Sequence, residues 1–187
     1  MPAPEYISWK PIVKGGSNFR THKLKQVSHH SYKIVPTLGY YLCILLFILL
    51  SGGMLYRAYM EYLDSTSTFW LYGILGAIFQ VPVLQLIYNA LSPFTIDLDE
   101  GVFYNGREWD PIHEKMKEAE GSVQEIYGIQ LVTELVTRKS RYESYELNLV
   151  LQDGRRINVM DHGNQEKLYE DAELLSEALK VPILQPN

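Results

Sequence analysis

The chain contains 187 residues, of which 47% are hydrophobic, and it carries a formal net charge of −5 at pH 7. Its one cysteine, Cys43, excludes an intramolecular disulfide. From residue 92 to residue 187 there are ten basic and nineteen acidic side chains, and this balance argues against nucleic-acid binding, which requires a basic surface.

Residues 1–37 are polar and basic, with Glu5 as the one acidic residue. The six basic residues are Lys10, Lys14, Arg20, Lys23, Lys25 and Lys33. We interpret this segment as a flexible cytoplasmic tail whose charges could contact anionic lipid headgroups. His22, His29 and His30 also lie in it, and since no cysteine accompanies them, we interpret them as exposed side chains rather than metal ligands.

Two apolar segments follow, at 38–60 and 69–91. Each has 23 residues, and a helix needs about 20 mostly apolar residues to cross the hydrocarbon core of a bilayer. The turn at 61–68 contains two acidic residues and no basic one, whereas the preceding tail is basic. The positive-inside rule then predicts a multi-pass hairpin in the cell inner (plasma) membrane, with both termini in the cytoplasm.

One side of the second predicted span carries small and polar residues, namely Gly73, Ala77 and Gln80. Small residues four apart allow helices to approach closely, and Gln80 could hydrogen-bond to the first helix. Arg57, near the outer end of the first span, has no acidic partner within either predicted span, and we expect it to extend toward the outer surface. Pore or transport work is the alternative, but two helices cannot enclose a pore without oligomerising, so we favour structural packing.

Beyond Pro93 the pattern predicts an α+β domain at 92–187. Alternation over 94–99 and 102–104 around Gly101 predicts one hairpin, and alternation over 145–151 and 157–159 around Asp153-Gly154 predicts another. A further strand is predicted at 127–135, and a final amphipathic helix begins after Asn164 and stops at Val181-Pro182. The segment 105–122 is ambiguous. Antiparallel strands closed by one C-terminal helix are typical of pleckstrin-homology-like domains.

The order of these parts resembles two groups of proteins. The positions that match the second group are Asp99–Val102 after the hairpin and Ala178–Ile183 at the end of the last helix. The layout is similar to bacterial inner-membrane proteins of uncharacterised function that have two spans and a pleckstrin-homology-like cytoplasmic domain. It is more distantly similar to the photosystem I assembly protein of chloroplasts and cyanobacteria. The resemblance implies a scaffold or assembly role rather than a reaction.

Signatures of enzymes are sparse, and we predict no catalytic, cofactor-binding or metal-binding residues. The sequence contains no nucleophile elbow, Walker loop or zinc-protease motif. Asp161-His162 and the Asp110/His113 pair could act as general bases, but no nucleophile accompanies either. Asp97 and Asp99 would bind a divalent cation only with further oxygen ligands, and exposed strand positions explain them more simply.

Basic residues at the predicted turns of the domain are candidates for lipid-headgroup binding. They are Arg138, Lys139, Arg141, Arg155 and Arg156. If these turns face the bilayer, each basic residue contributes about 1 kcal/mol near an anionic surface. If they face away, they are solvated charges.

Three functions therefore remain open. The one that we favour is a membrane-anchored scaffold or assembly protein whose cytoplasmic domain binds another membrane protein or a second copy of the chain. The second is an anionic lipid headgroup-binding module. The third is a small membrane enzyme or transporter subunit.

Overall fold

The computed structural model of the chain describes residues 7–106, 120–137 and 141–185. These residues divide into two compact units, a helical one at Leu38–Ser92 and a β-rich one built from 7–37 together with residues 93 onward. The predicted ambiguity at 105–122 lies mostly outside the described residues.

The helical unit is a pair of antiparallel apolar helices. They are α1 (Leu38–Leu63) and α2 (Phe69–Leu91), and both are long and apolar enough to cross a membrane by length and composition. Because α1 continues to Leu63, it includes Glu61, which forms an ion pair with Arg57 one turn earlier. The prediction that Arg57 has no acidic partner was therefore wrong, since it assigned Glu61 to the turn.

The first sheet of the β-rich unit, sheet A, has five antiparallel strands. In spatial as well as chain order they are β1 (His22–Ser28), β2 (Ser31–Pro36), β3 (Phe94–Asp97), β4 (Val102–Asn105) and β5 (Gly121–Ser122). The hairpin of β3 and β4 was predicted, and Gly101 takes the left-handed conformation, with φ +69°, in its turn.

Residues 22–36, in contrast, do not form the flexible tail that was expected. Leu24, Tyr32 and Ile34 alternate with polar residues, and all three are buried in the core. Their burial explains why this segment folds as β1 and β2. The division into a tail at 1–37 and a domain at 92–187 thus differs from the structure, which joins the two regions in one unit.

The second sheet, sheet B, has the spatial order β8-β7-β6-β9. Its strands are β6 (Ile126–Val136), β7 (Tyr142–Leu151), β8 (Arg156–His162) and β9 (Ile183–Leu184). A short 3₁₀ turn at Val123–Glu125 precedes β6. The pairs β6/β7 and β7/β8 are antiparallel, whereas β9 pairs with β6 in parallel.

One helix, α3 (Gln165–Leu179), closes the core, as predicted. Asn164 caps it by accepting the backbone N–H of Lys167 at 2.9 Å. Leu168, Ala172 and Leu175 are its buried stripe, and they pack in one cluster with the inner residues of both sheets. The described residues thus form a mixed α+β structure in which two apolar helices interrupt a β-rich unit.

Candidate interaction surfaces

A segment without regular secondary structure crosses one face of sheet B. We call residues 8–16 the N-terminal strap, and the face it covers the strap face. In a strand, alternate side chains share a face, so Gln130, Glu134, Glu146 and Asn148 lie together on the strap face. The core face of the sheet is on the opposite side.

Glu146 is the central anchor of the strap. Its side chain is only 1% exposed. One carboxylate oxygen accepts the backbone N–H of Ile12 at 2.9 Å and the other accepts that of Val13 at 2.7 Å, while Asn148 Nδ2 donates at 3.2 Å. A buried carboxylate is costly unless its oxygens accept hydrogen bonds, and the strap supplies two of these donors.

Four further side chains of sheet B bind the strap's backbone. Glu134 accepts the N–H of Gly15 at 2.9 Å. The three donors are Gln130 Nε2 to the carbonyl of Ser8, Arg156 Nη1 to that of Lys10 and Tyr142 Oη to that of Gly16, each at 2.8 Å. Every one of these contacts is made to main-chain atoms, so the sheet fixes the path of the strap without using its side chains.

The strap's apolar side chains consequently remain at the surface. Trp9, Ile12 and Val13 are 38–43% exposed, and Phe19, just beyond the strap, is 42% exposed. Lys10 and Lys14 are exposed beside them.

Negative charge is concentrated beneath the strap. Asp161 of β8 lies directly opposite Glu146 of β7 in the ladder. Burial raises the pKa of the Asp161 carboxyl, and the nearby charges of Glu146 and Glu134 raise that pKa further. The strap's N–H groups therefore donate stabilising hydrogen bonds to two carboxylates of a crowded acidic face.

A second surface is the outer edge of β6. The partner β9 pairs only with Ile129 and Gln130, so residues 131–136 have no strand neighbour on that side among the residues that the structure describes. Leu131 packs against the core, but Leu135 on the same face is 47% exposed. A free strand edge offers unpaired backbone groups to another extended chain.

An apolar cleft of about 310 Å³ adjoins this edge. Its lining includes Leu131, Thr133, Tyr145, Leu168, Tyr169 and Gln185. Tyr169 and Leu135 leave the apolar region partly open to solvent. Backbone groups and an apolar cleft side by side are the two elements that strand-addition sites use.

Of the predicted headgroup-binding residues, the three that the structure describes are not brought together. Arg138 and Lys139 lie outside the described residues. Arg141 is exposed just before β7, whereas Arg155 and Arg156 follow its far end. A strand rises about 3.3 Å per residue, so the ten residues of β7 separate these groups by roughly 33 Å.

Both arginines at the β7–β8 turn also have partners within the chain. Arg155 Nε pairs with Asp153 Oδ2 at 2.6 Å, and this contact holds the pKa of the Asp153 carboxyl below its usual value. Arg156 binds Lys10 and, at 3.2 Å, Gln130 Oε1. Arg156 thus acts on the strap in this structure.

The three predicted helix-packing residues differ in the contacts that they make with the other helix. Gln80 Nε2 donates to Ser51 Oγ at 2.7 Å, and Ser51 Oγ in turn donates to the carbonyl of Gly76 at 3.0 Å. Ala77 is exposed, and a Cβ at Gly73 would lie 4.0 Å from Ala58. Gly76 is buried and packed more tightly than Gly73, because an added Cβ would lie 2.7 Å from Leu55 Cδ2.

The other candidate polar groups have structural roles. The Nδ1 atom of the fully buried His162 accepts the N–H of Asn164 at 3.2 Å. Asp97 accepts two backbone N–H groups in the β3–β4 turn, and Asp99 pairs with His30 Nδ1 at 2.7 Å. Asp110 and His113 are not among the described residues. Within the described ranges, no cluster of three or more histidine, cysteine or acidic residues could hold a metal ion.

Sequence reasoning missed both interaction surfaces. The strap could not be identified because its partners lie more than 100 residues away in sequence, as the 134-residue separation of Ile12 and Glu146 illustrates. The free edge of β6 depends on how far β9 extends, which no local pattern encodes. No protein-family model matches the chain, and no curated protein is significantly similar to it.

Proposed function

We propose that the chain is a membrane-anchored interaction protein. In this proposal α1 and α2 cross the inner (plasma) membrane as a hairpin with both termini in the cytoplasm. The β-rich unit, of pleckstrin-homology-like plan, binds another membrane protein at the cytoplasmic face or assists its assembly.

The surface of the two helices supports the anchor. Large apolar side chains are exposed all along them, and Leu49, Leu84 and Trp70 are each more than 60% exposed. Soluble monomers rarely expose contiguous apolar surface beyond a few hundred Å². A bilayer would cover these side chains, and the basic segment before α1 favours the cytoplasmic orientation.

The connections between the helices and the β-rich unit support the proposal that this unit is held at the bilayer. β2 ends at Pro36 and α1 begins at Leu38, while α2 ends at Leu91 and β3 begins at Phe94. Because β2 and β3 are paired neighbours, the hairpin is an insertion between adjacent strands of one sheet. The β-rich unit is therefore connected to the helices by two short links rather than one long linker.

The observation that carries the interaction role is the free edge of β6 beside its apolar cleft. The chain's own β9 already pairs in parallel with the first part of this edge. We infer that an extended segment of the partner continues the sheet along residues 131–136 and places apolar side chains in the cleft. Main-chain hydrogen bonds would supply affinity and the cleft would supply specificity.

Purification of the full-length protein from its native membrane in mild detergent, with mass spectrometry of retained proteins, tests this function. We expect a stoichiometric protein partner with the wild type and its loss with Leu135→Lys, which places a charge at the edge. Leu174→Lys is the matched control, because Leu174 is also an exposed leucine but lies on α3 and not on the edge strand β6. Absence of any partner, or equal loss in both variants, would contradict the proposal.

Recognition of anionic lipid headgroups is a second candidate, and one feature of sheet A favours it. Lys25 and Lys33 are direct cross-strand partners, and neither forms an ion pair with another described residue. Like charges at opposite positions destabilise a sheet unless a counter-charge is present. Retention of anionic lipid without a protein partner in the same purification would favour this candidate.

A further inference from the structure

The N-terminal strap combines a fixed backbone with free side chains. Five side chains of sheet B bind the strap, and one of them, Glu146, accepts the backbone N–H groups of both Ile12 and Val13. Because sheet B binds the strap through the strap's main-chain groups, the apolar side chains of Trp9, Ile12 and Val13 remain at the surface. An unstructured segment would be expected to turn these side chains inward, since burial of apolar area is favourable.

Charge adds to this pattern. Lys10 and Lys14 alternate along the strap with the exposed apolar residues, and neither has an ion-pair partner among the described residues. Tryptophan, aliphatic side chains and lysine are the residue types that settle at the boundary of a bilayer carrying negative headgroups.

The end of the segment that follows the strap is hydrogen-bonded to the last residue before the first apolar helix. Thr37 Oγ1 donates to the carbonyl of Arg20 at 2.7 Å, and the N–H of Thr37 donates to that of Thr21 at 2.9 Å. The next residue in the chain is Leu38, the first of α1. Phe19, which is exposed, precedes Arg20 directly. The segment that follows the strap is therefore held at its end by Thr37, the last residue of this part of the β-rich unit before the apolar hairpin.

We propose that the strap is a membrane-contact element. The side chains of Trp9, Ile12, Val13 and Phe19 enter the interfacial region of an anionic bilayer, and Lys10 and Lys14 meet its headgroups. The strap face of sheet B holds the backbone that presents them. This inference rests on the membrane anchoring proposed above, and it assigns the lipid contact to residues other than the arginines of the turns.

The bilayer is favoured over a protein as the occupant of this surface by charge. The two lysines complement anionic lipid, which attracts about 1 kcal/mol of binding per basic residue near its surface. No pocket is needed for this contact.

Spin labels on the full-length protein in lipid nanodiscs test the inference directly. Single cysteines are introduced at Ile12 and, as a matched control, at Leu174, in a Cys43→Ser background. These two aliphatic side chains have nearly equal exposure, 39% and 37%. A third label at Leu84 of α2 reports whether the hairpin itself is in lipid. Collision of each label with oxygen, which partitions into lipid, is compared with collision with a water-soluble nickel chelate.

In nanodiscs containing phosphatidylglycerol, we expect the oxygen-to-nickel collision ratio at Ile12 to exceed that at Leu174 several-fold. Replacing Lys10 and Lys14 together by glutamine, or using phosphatidylcholine alone, should reduce the difference. Equal ratios at Ile12 and Leu174, with Leu84 in lipid, would overturn the inference and leave the proposed anchoring intact. A water-exposed label at Leu84 would overturn both. The purified chain brings no protein partner, so a surface made only for a protein would give the water-exposed result at Ile12.

Discussion

The carboxylate of Glu146 accepts the backbone N–H of Val13 at 2.7 Å, across 133 residues of sequence. Its other oxygen accepts the N–H of Ile12, so one buried side chain in the middle of β7 fixes the strap to sheet B. Glu146 is therefore the central attachment of the strap, which Glu134, Gln130, Tyr142 and Arg156 also hold.

Glu146→Gln should loosen the strap. An amide can accept at only one of its two terminal atoms, so one strap N–H would face an NH₂ donor and remain unpaired. Loss of a hydrogen bond to a charged group costs about 1.5–3 kcal/mol. We expect faster tryptic cleavage after Lys14 and a lower thermal midpoint in detergent.

Glu143→Gln is the control for that experiment, because Glu143 lies on the same strand but is exposed. Exposed substitutions of this kind usually change stability by about 0.5 kcal/mol or less. Equal cleavage rates in the two variants would mean that Glu146 does not hold the strap.

Gly163→Ala should disrupt the contact between Gly163, which precedes α3, and the segment that follows the strap. A Cβ at Gly163 would lie 2.3 Å from the backbone carbon of Asn18, and main-chain atoms there cannot yield as a side-chain end can. Overpacking of this kind costs about 1–3 kcal/mol. Hydrogen exchange of the Gly163 amide, which donates to the carbonyl of Phe19 at 3.3 Å, should accelerate. Unchanged exchange would show that the contact is not kept in solution.

Gly76→Ala should weaken the packing of α1 against α2. The added Cβ would lie 2.7 Å from Leu55 Cδ2 and 3.3 Å from its backbone nitrogen. We expect a loss of about 1–3 kcal/mol in hairpin stability, measured by thermal unfolding in detergent. Gly53→Ala is the matched control, since nothing lies within 4 Å of its Cβ position. Alanine should be favourable there by about 0.5–1 kcal/mol, and the two variants should therefore differ in sign.

His162 should stay neutral well below its usual titration range. Burial lowers its pKa to about 4, and the charges of Arg20 and His22 add to this effect. In the unfolded chain the ring takes up a proton near pH 6.5, whereas in the folded chain it does not until about pH 4. Its contribution to stability is therefore fully present above pH 6.5 and is lost as the pH falls toward 4.

The measurement is an NMR titration of the His162 ring together with unfolding curves between pH 7 and pH 4. His162→Asn keeps an acceptor for the Asn164 N–H but cannot titrate, so the fall in stability over this range should become shallower in the variant. A ring pKa near 6.5, or identical pH dependence in the two proteins, would contradict the assignment.

Local patterns were sufficient for the elements whose partners are close in sequence. The hairpin around Gly101 and the one around Gly154 were predicted because a turn residue with positive φ lies between alternating segments. The capped helix after Asn164 and the two long apolar helices were predicted for the same reason, since caps and apolar runs are encoded within a few turns.

Assignments that depended on distant partners were incomplete or wrong. The lysines of β1 and β2 suggested a solvated tail, although Leu24, Tyr32 and Ile34 between them carry the alternation of a strand. The sequence analysis did not single out Glu146, and it interpreted Arg156 as a lipid-headgroup candidate or a solvated charge. Both residues have partners in the first 16 residues of the chain. The alternation within β7 or β8 gives no information about such distant partners.

The sequence by itself determined that the chain has two helices apolar and long enough for a bilayer, a β-rich region and a closing helix, because length, hydrophobicity and period two are local properties. Only the tertiary structure decided that the helical pair interrupts one sheet, that the strap is held by its backbone, and that part of β6 has no strand neighbour among the described residues. The physical reason is that these features consist of hydrogen bonds between residues far apart in the chain. Their formation depends on the packed core that brings those residues together.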